Sequence, residues 1–441
     1  MSSPMPLIAR PGRPLAGTIR GPGDRALSLR ALILGALAVG RTSIRGGAEG
    51  DDVRHLATAL RALGATVAHH ADGVWTVDGV GVGGLTEPAE VLDLGGSVAA
   101  AQLLMGLVAS HPLTAILAGD AALGRRSFVR LTQPLERLGA QFIGRRGGFL
   151  PLTVVGATVP MPIEHRLAVA CADAKAALLL AALNTPGLVS LTEPRSSGDA
   201  MEQLLRRFGA RVEIEPAADG ARLIRVEGQP ELRPTTLDLP ADFEAAAAPL
   251  LAALGGAGAD VTLLEVGLGP HAAGLITILQ DMGAQIEILN PRPVGDVPAG
   301  DIRVRSSRLK GLDVPAARMA GLADAAQFLA FAAAQAKGTT VLPTLGDGAR
   351  AVALARGLSA CGVGVTLEDD TLVIAGSGGR VPGGARLPAD LDVDLAMGFL
   401  ALGFNAAAPV EVADGAAVER DFPGFAGLIR GLGADLAQGA A

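Results

Sequence analysis

Leu60-Arg61-Ala62-Leu63-Gly64-Ala65 is the stretch on which the fold of this chain turns. It returns as Leu135-Glu136-Arg137-Leu138-Gly139-Ala140, as Leu205-Arg206-Arg207-Phe208-Gly209-Ala210 and as Leu279-Gln280-Asp281-Met282-Gly283-Ala284. A looser copy is Leu358-Ser359-Ala360-Cys361-Gly362-Val363, and the last is Ile429-Arg430-Gly431-Leu432-Gly433-Ala434. The glycines stand roughly 70 to 80 residues apart, and self-similarity at a fixed period is the signature of a repeated structural unit. Each copy closes an apolar-periodic helix on a glycine that can take the left-handed conformation ending a last turn. Strand-like runs follow, such as Thr66-Val67-Ala68-His69, Arg211-Val212-Glu213-Ile214 and Gln285-Ile286-Glu287-Ile288. After a polar turn comes a second alternating run, as in Val74-Trp75-Thr76-Val77, Leu223-Ile224-Arg225-Val226 and Asp301-Ile302-Arg303-Val304. The unit is therefore helix, strand, turn, strand, preceded by further helix and strand. Six units do not by themselves say how they group; a cut near Leu239-Pro240-Ala241-Asp242, a proline-bearing segment suited to a crossing between domains, would leave three on each side.

Composition bounds the rest. The chain has 441 residues, 49% of them apolar, which is enough for more than one buried core. Alanine dominates that apolar share, with one tryptophan, no tyrosine and 60 glycines, a mix suited to closely packed helices of small residues. The net charge of −7 and the lack of a clustered Lys/Arg run argue against a nucleic-acid partner, and the sign is wrong for an anionic membrane surface. The apolar stretch from Ala245 to Val261 is interrupted by Pro249 and Asp260 and reads as buried helix rather than a span. The N-terminus lacks the apolar core of a signal peptide, and two widely separated cysteines, Cys171 and Cys361, make no disulfide framework. A soluble, cytoplasmic protein is the expectation. The six histidines show no ligand spacing, so no metal site is expected, and Cys171 reads as a buried small residue rather than a nucleophile.

Several segments carry a resemblance. Pro22-Gly23-Asp24-Arg25-Ala26-Leu27-Ser28-Leu29-Arg30 resembles a Pro-Gly-Asp-Lys-Ser signature closing on Arg. Leu94-Gly95-Gly96-Ser97 and Gly119-Asp120-Ala121-Ala122-Leu123-Gly124-Arg125-Arg126 resemble two further motifs, and Cys171-Ala172-Asp173-Ala174-Lys175 sits where Ser-Ala-Gln-Val-Lys is expected. Glu193-Pro194 with Asp199 and Glu202, then Asn290-Pro291-Arg292 and Phe422-Pro423, follow in the same order. The chain thus resembles the EPSP synthase (5-enolpyruvylshikimate-3-phosphate synthase) family over about nine-tenths of its length, and its class II bacterial members most. The resemblance implies a mixed α/β (α+β) fold of two domains, each three βαβαββ units around buried parallel helices, closing on substrates like a clamshell. Residues 1–22 and 240–441 would form one domain and residues 23–239 the other, with the substrate cleft between them.

The implied reaction moves enolpyruvyl from phosphoenolpyruvate to the 5-hydroxyl of shikimate 3-phosphate and releases phosphate, in a monomer that uses no cofactor. Such chemistry gathers several anionic groups, which Arg and Lys must neutralise, and needs groups that add and remove a proton. The resemblance assigns substrate binding to Arg25, Arg30, Arg126, Ser197, Arg350 and Arg420. It assigns acid or base roles to Asp324 and to Asp347, the latter on an alignment shortened around Gly346. Asp324 also fits a helix N-cap.

Other motif positions depart from the pattern. Arg25 stands for a titratable lysine, Ala26 for serine, Gly96 for asparagine, Ala99 for threonine and Gln102 for arginine. Cys171 and Asp173 stand for serine and glutamine, Gly198 and Ala200 for arginine and histidine, Ala272 for arginine and Ala325 for glutamate. Asp392-Val393-Asp394 stands for Asp-His-Arg, so an arginine has become a carboxylate. Unit charges about 4 Å apart interact by roughly 4 kcal/mol at an effective dielectric of about 20, so that single exchange costs an anion site several kcal/mol. Impaired turnover is the expectation, with a catalytically inactive homologue that senses a ligand or binds a partner as the alternative. Asp173 and Asp394 are expected to pair with Lys175 or Arg25 as internal salt bridges. A third reading, the related UDP-N-acetylglucosamine enolpyruvyl transferase, is set aside because the region from Ala121 to Arg126 lacks its loop cysteine.

Overall fold

The computed structural model describes residues 5–319, 321–322, 325–344 and 348–439. All six phrase glycines adopt positive φ, between +79° and +118°. In every copy the next residue's N–H reaches back five residues to a carbonyl: Ala65 to Leu60, Ala140 to Leu135, Ala210 to Leu205, Ala284 to Leu279, Val363 to Leu358 and Ala434 to Ile429. That bond is the closing bond of a Schellman cap, in which an apolar residue after the Gly packs against the Leu or Ile whose carbonyl it reaches. The phrase ends the half-buried helices, such as Asp51–Ala62 and Val129–Leu138.

A second set of helices is apolar on every side and forms the cores. They are α1 (Arg25–Leu37), α2 (Val98–Ala109), α3 (Ala172–Leu183), α4 (Phe243–Gly255), α5 (Ala326–Gln335) and α6 (Val393–Gly403). α4 runs through Pro249 rather than ending at it, and Asp260 opens the strand Asp260–Gly267.

Among the described residues there are six sheets, one per repeat, five with four strands and one with three. In the first, Thr236–Asp238 runs parallel to Val39–Arg45, which pairs antiparallel with Trp75–Val80, itself antiparallel to Thr66–His69. The second repeats this order with Leu92–Asp93, Thr114–Ala118, Phe149–Val155 and Gln141–Arg145. The chain forms two compact units, Asp24–Leu239, and Met1–Gly23 with Pro240–Ala441. The early strands Leu7–Arg10 and Ala16–Ile19 join sheets of the second of these.

Small residues let the core helices touch backbone to backbone. A Cβ on Gly106 of α2 would lie 2.0 Å from the Ala177 carbonyl oxygen of α3, closer than any real contact. Gly106→Val is therefore expected to force α2 and α3 apart and cost about 3 kcal/mol, read as a lower denaturant midpoint. In the other unit, Gly398 of α6 leaves room for the Phe331 ring, which meets Phe399 edge-on at 4.9 Å.

Candidate functional site

In the unit Asp24–Leu239 the functional side chains gather at the N-terminal ends of α1 and α3. Asp24 caps α1 by accepting from Leu27 N–H at 2.8 Å. Arg25, the next residue, lies 3.5 Å from Asp52. One turn on, Arg30 is 5% exposed and donates from Nη2 to Asp173 Oδ1 at 2.8 Å, while its buried Nε has no hydrogen-bond partner. Asp173 thus pairs with Arg30 rather than with Lys175, because the first turn of α3 presents the two residues to different neighbours. Cys171, at the N-cap of α3, is half-buried rather than buried. Cys361 is buried in the other unit, and burial pushes its thiol up to about 11.

Lys175 is 1% exposed and serves carboxylates that are themselves fully buried. Its Nζ stands 2.8 Å from Glu202 and 3.3 Å from Glu193, and donates to the Gly198 carbonyl at 2.5 Å. The Glu202 contact is an ion pair without hydrogen-bond alignment, and neither Glu202 oxygen accepts a hydrogen bond. Glu193 Oε2 in turn accepts from Ser197 Oγ at 2.9 Å. From the other side Arg222 Nη1 donates to Asp199 Oδ1 at 2.7 Å and to Ser196 Oγ. That bond is the largest cause holding the Asp199 carboxyl below its ordinary value and raising the Arg222 guanidinium above its own. Every residue of the turn Ser196–Asp199 is therefore held by a charged side chain. The sequence motifs picked out Ser197 but missed Arg222. The signal was its register opposite Glu193 across neighbouring strands, which no single segment displays.

Arg126 stands apart: it is exposed, just after the short helix Leu123–Arg125, and makes no ion pair among the described residues.

The second unit holds Arg350 at the start of the helix Gly348–Ala360. Its Nη2 lies 2.8 Å from Asp392 and 3.4 Å from Asp394. Asp392 caps α6 by accepting from Asp394 N–H, and Asp394 is 6% exposed. Asp394 Oδ2 also accepts from Gln327 Nε2 at 3.2 Å, leaving Gln327 Oε1 buried without a partner. Asp394 therefore pairs with Arg350, a partner the sequence did not suggest. Arg420 is 3.5 Å from Asp414. Asp324 and Asp347 lie outside the described residues, as does Gly346. Among the described residues no group of His, Cys, Asp and Glu is arranged to hold a metal ion, and no helix is long and apolar enough to cross a membrane.

Chemically, both units present arginines suited to anions, and each carries an arginine engaged by carboxylates of the same chain. A sequence profile described as EPSP synthase (3-phosphoshikimate 1-carboxyvinyltransferase) matches residues 9–428. The protein named 3-phosphoshikimate 1-carboxyvinyltransferase in Rhodospirillum rubrum is 48% identical over 98% of each chain. Its namesake in Parvibaculum lavamentivorans is 48% identical, covering 97% of this chain and 96% of its own. Among solved structures, EPSP synthase from Acinetobacter baumannii superposes with a TM-score of 0.84 at 31% identity, over 99% of this chain and all of that one. The enolpyruvyl transferase NikO from Streptomyces tendae, 20% identical with a TM-score of 0.77 over the full length of both chains, shares the fold. Matched from end to end by such relatives, and built from the six units its sequence repeats, this chain belongs to the EPSP synthase family.

Proposed function

We propose that this chain takes the substrates of its family, shikimate 3-phosphate and phosphoenolpyruvate, and transfers enolpyruvyl to the 5-hydroxyl with release of phosphate, at a rate well below that of its relatives. The shared name of full-length relatives at 48% identity supports the reaction. The impairment rests on one observation, the placement of Asp392 and Asp394 against Arg350. An arginine that must bind an anion here first has to give up two carboxylates, and the anion then meets their charge. Arg25, Arg126 and Arg420 are the further substrate contacts in this reading, with Asp324 and Asp347 as acid and base. The protein works as a cytoplasmic monomer without a metal or organic cofactor, and binds neither nucleic acid nor membrane.

A second reading, a catalytically inactive homologue that senses a ligand or binds a partner, is favoured by Arg30. It too is paired with a carboxylate, Asp173, at a position where the family motif has glutamine. Phosphate release from the two substrates separates the readings. Turnover at least about a hundredfold below that of the Rhodospirillum rubrum relative, roughly 2.7 kcal/mol of barrier, is expected. Turnover within about tenfold sinks the impairment. No turnover, together with a substrate-dependent rise in melting temperature, establishes the inactive homologue.

A further inference from the structure

Ser197 is the hydroxyl that the motif offers to the substrate phosphate, yet its one hydrogen is already committed. It goes to Glu193 Oε2, a carboxylate fully buried beside Lys175. A phosphate dianion offers only acceptors, so Ser197 has no donor left for it.

Arg222 has what Ser197 lacks. It lies on the strand Arg222–Glu227, and only its Nη1 is engaged, by Asp199, by Ser196 and at 3.6 Å by Glu193. Its Nε and Nη2 make no hydrogen bond among the described residues. These two N–H groups form the edge of the fork that grips two oxygens of a carboxylate or phosphate at once. The side chain is 21% exposed, so the edge is within reach of a ligand. Ser196 holds the far side of the fork: its Oγ accepts from Arg222 Nη1 and, at 3.3 Å, from Gly198 N–H, which fixes the guanidinium with its other edge open. The surrounding charge is balanced. Lys175, Arg222 and Arg206, the last close enough to act on Asp199, stand against Glu193, Asp199 and Glu202. An incoming phosphate therefore meets an open guanidinium edge without a net negative background.

We propose that Arg222, its guanidinium fixed through Nη1 by Ser196 and Asp199, is the phosphomonoester-binding residue of this unit, and that Ser197 serves only to brace the turn. The assignment rests on the reading above in naming shikimate 3-phosphate as the ligand, while its phosphate chemistry stands without the reaction. Arg222 lies outside the motifs that mark the family in this chain, where Gly198 holds the place of an arginine. Arg222 restores a guanidinium to the same turn from the neighbouring strand.

Calorimetric titration of the full chain with shikimate 3-phosphate, shikimate and inorganic phosphate tests this. Arg222→Met is expected to weaken shikimate 3-phosphate at least about thirtyfold and leave shikimate within about twofold, a split that general damage to the fold does not produce. Arg222→Lys, which keeps the charge but not the fork, is expected to recover part of the loss, and Ser197→Ala to change affinity less than about threefold. The proposal is overturned if Arg222→Met leaves shikimate 3-phosphate within threefold, if it weakens shikimate equally, or if the unaltered protein binds neither shikimate 3-phosphate nor inorganic phosphate. Should Arg222→Met not fold, Arg222→Lys must show at least a fivefold loss confined to the phosphorylated ligand. An unaltered protein that binds shikimate 3-phosphate through Arg222 yet releases no phosphate removes the catalytic reading and leaves this one standing.

Discussion

Asp394→Asn is expected to raise the affinity for phosphoenolpyruvate at least about tenfold, and Asp394→Arg to raise phosphate release about a hundredfold. Asparagine keeps the shape of the side chain and an oxygen for Arg350 and Gln327, but removes one buried negative charge 3.4 Å from the guanidinium. A unit charge at about 4 Å is worth roughly 4 kcal/mol at an effective dielectric of about 20, and tenfold in affinity needs only about 1.4 kcal/mol of it. Arginine reverses the charge and restores the residue type of the family motif, so two guanidinium groups become available to one anion. Asp392→Asn is the control: it also removes a charge beside Arg350, at 2.8 Å, but weakens the cap of α6 and is expected to lower stability by about 1 kcal/mol. Titration with phosphoenolpyruvate at fixed shikimate 3-phosphate, alongside phosphate release, reads both. Unchanged affinity in Asp394→Asn would mean that the carboxylate does not close the anion site, and the case for impairment through Arg350 would fall.

The fold was legible because its signals are local. A Schellman cap favours a left-handed residue, usually Gly, followed by an apolar one that packs on the last turn, so each unit writes Gly and an apolar neighbour into the chain at the same place. Even the five-residue reach from Ala65 to Leu60 can be read from the phrase alone. The all-round apolar helices were visible for a similar reason, although Pro249 suggested an interruption that α4 absorbs within its first turns.

The site was legible only in part, because its pairings depend on which elements lie side by side. Nothing in the sequence of the first turn of α3 says that Asp173 faces Arg30, a residue 143 positions earlier, while Lys175 faces Glu193 and Glu202. Arg222 meets its turn through strand register, and Gln327 meets Asp394 across 67 residues. Motif matching picked out residue types at expected places. It did not show that carboxylates of the same chain engage Arg30 and Arg350, which changes what those arginines can do for a ligand.

Lys175→Met is expected to produce the largest loss of stability from a single exchange in the unit Asp24–Leu239. The ammonium is the counterion of Glu193 and Glu202, both fully buried, and Glu202 accepts no hydrogen bond at all. Removing one partner from a buried ionic group costs about 3 to 5 kcal/mol, because the carboxylates left behind are neither solvated nor paired. For a domain of roughly 200 residues this corresponds to a melting temperature lower by about 10 °C. The loss is not the net worth of the network, since assembling buried charges also costs desolvation. Changing Glu193 and Glu202 to glutamine in the same chain as Lys175→Met removes the stranded charges and is expected to return at least half of the loss. Calorimetry on the two variants reads both quantities. The turn supplies a second readout: without the bond from Nζ to the Gly198 carbonyl, Ser196 and Asp199 lose the frame that orients Arg222. Affinity for inorganic phosphate is therefore expected to fall in Lys175→Met even at temperatures where the protein remains folded. A variant whose stability lies within about 1 kcal/mol of the unaltered protein would show that the two glutamates do not depend on Lys175 and that Lys175 is not what holds the turn.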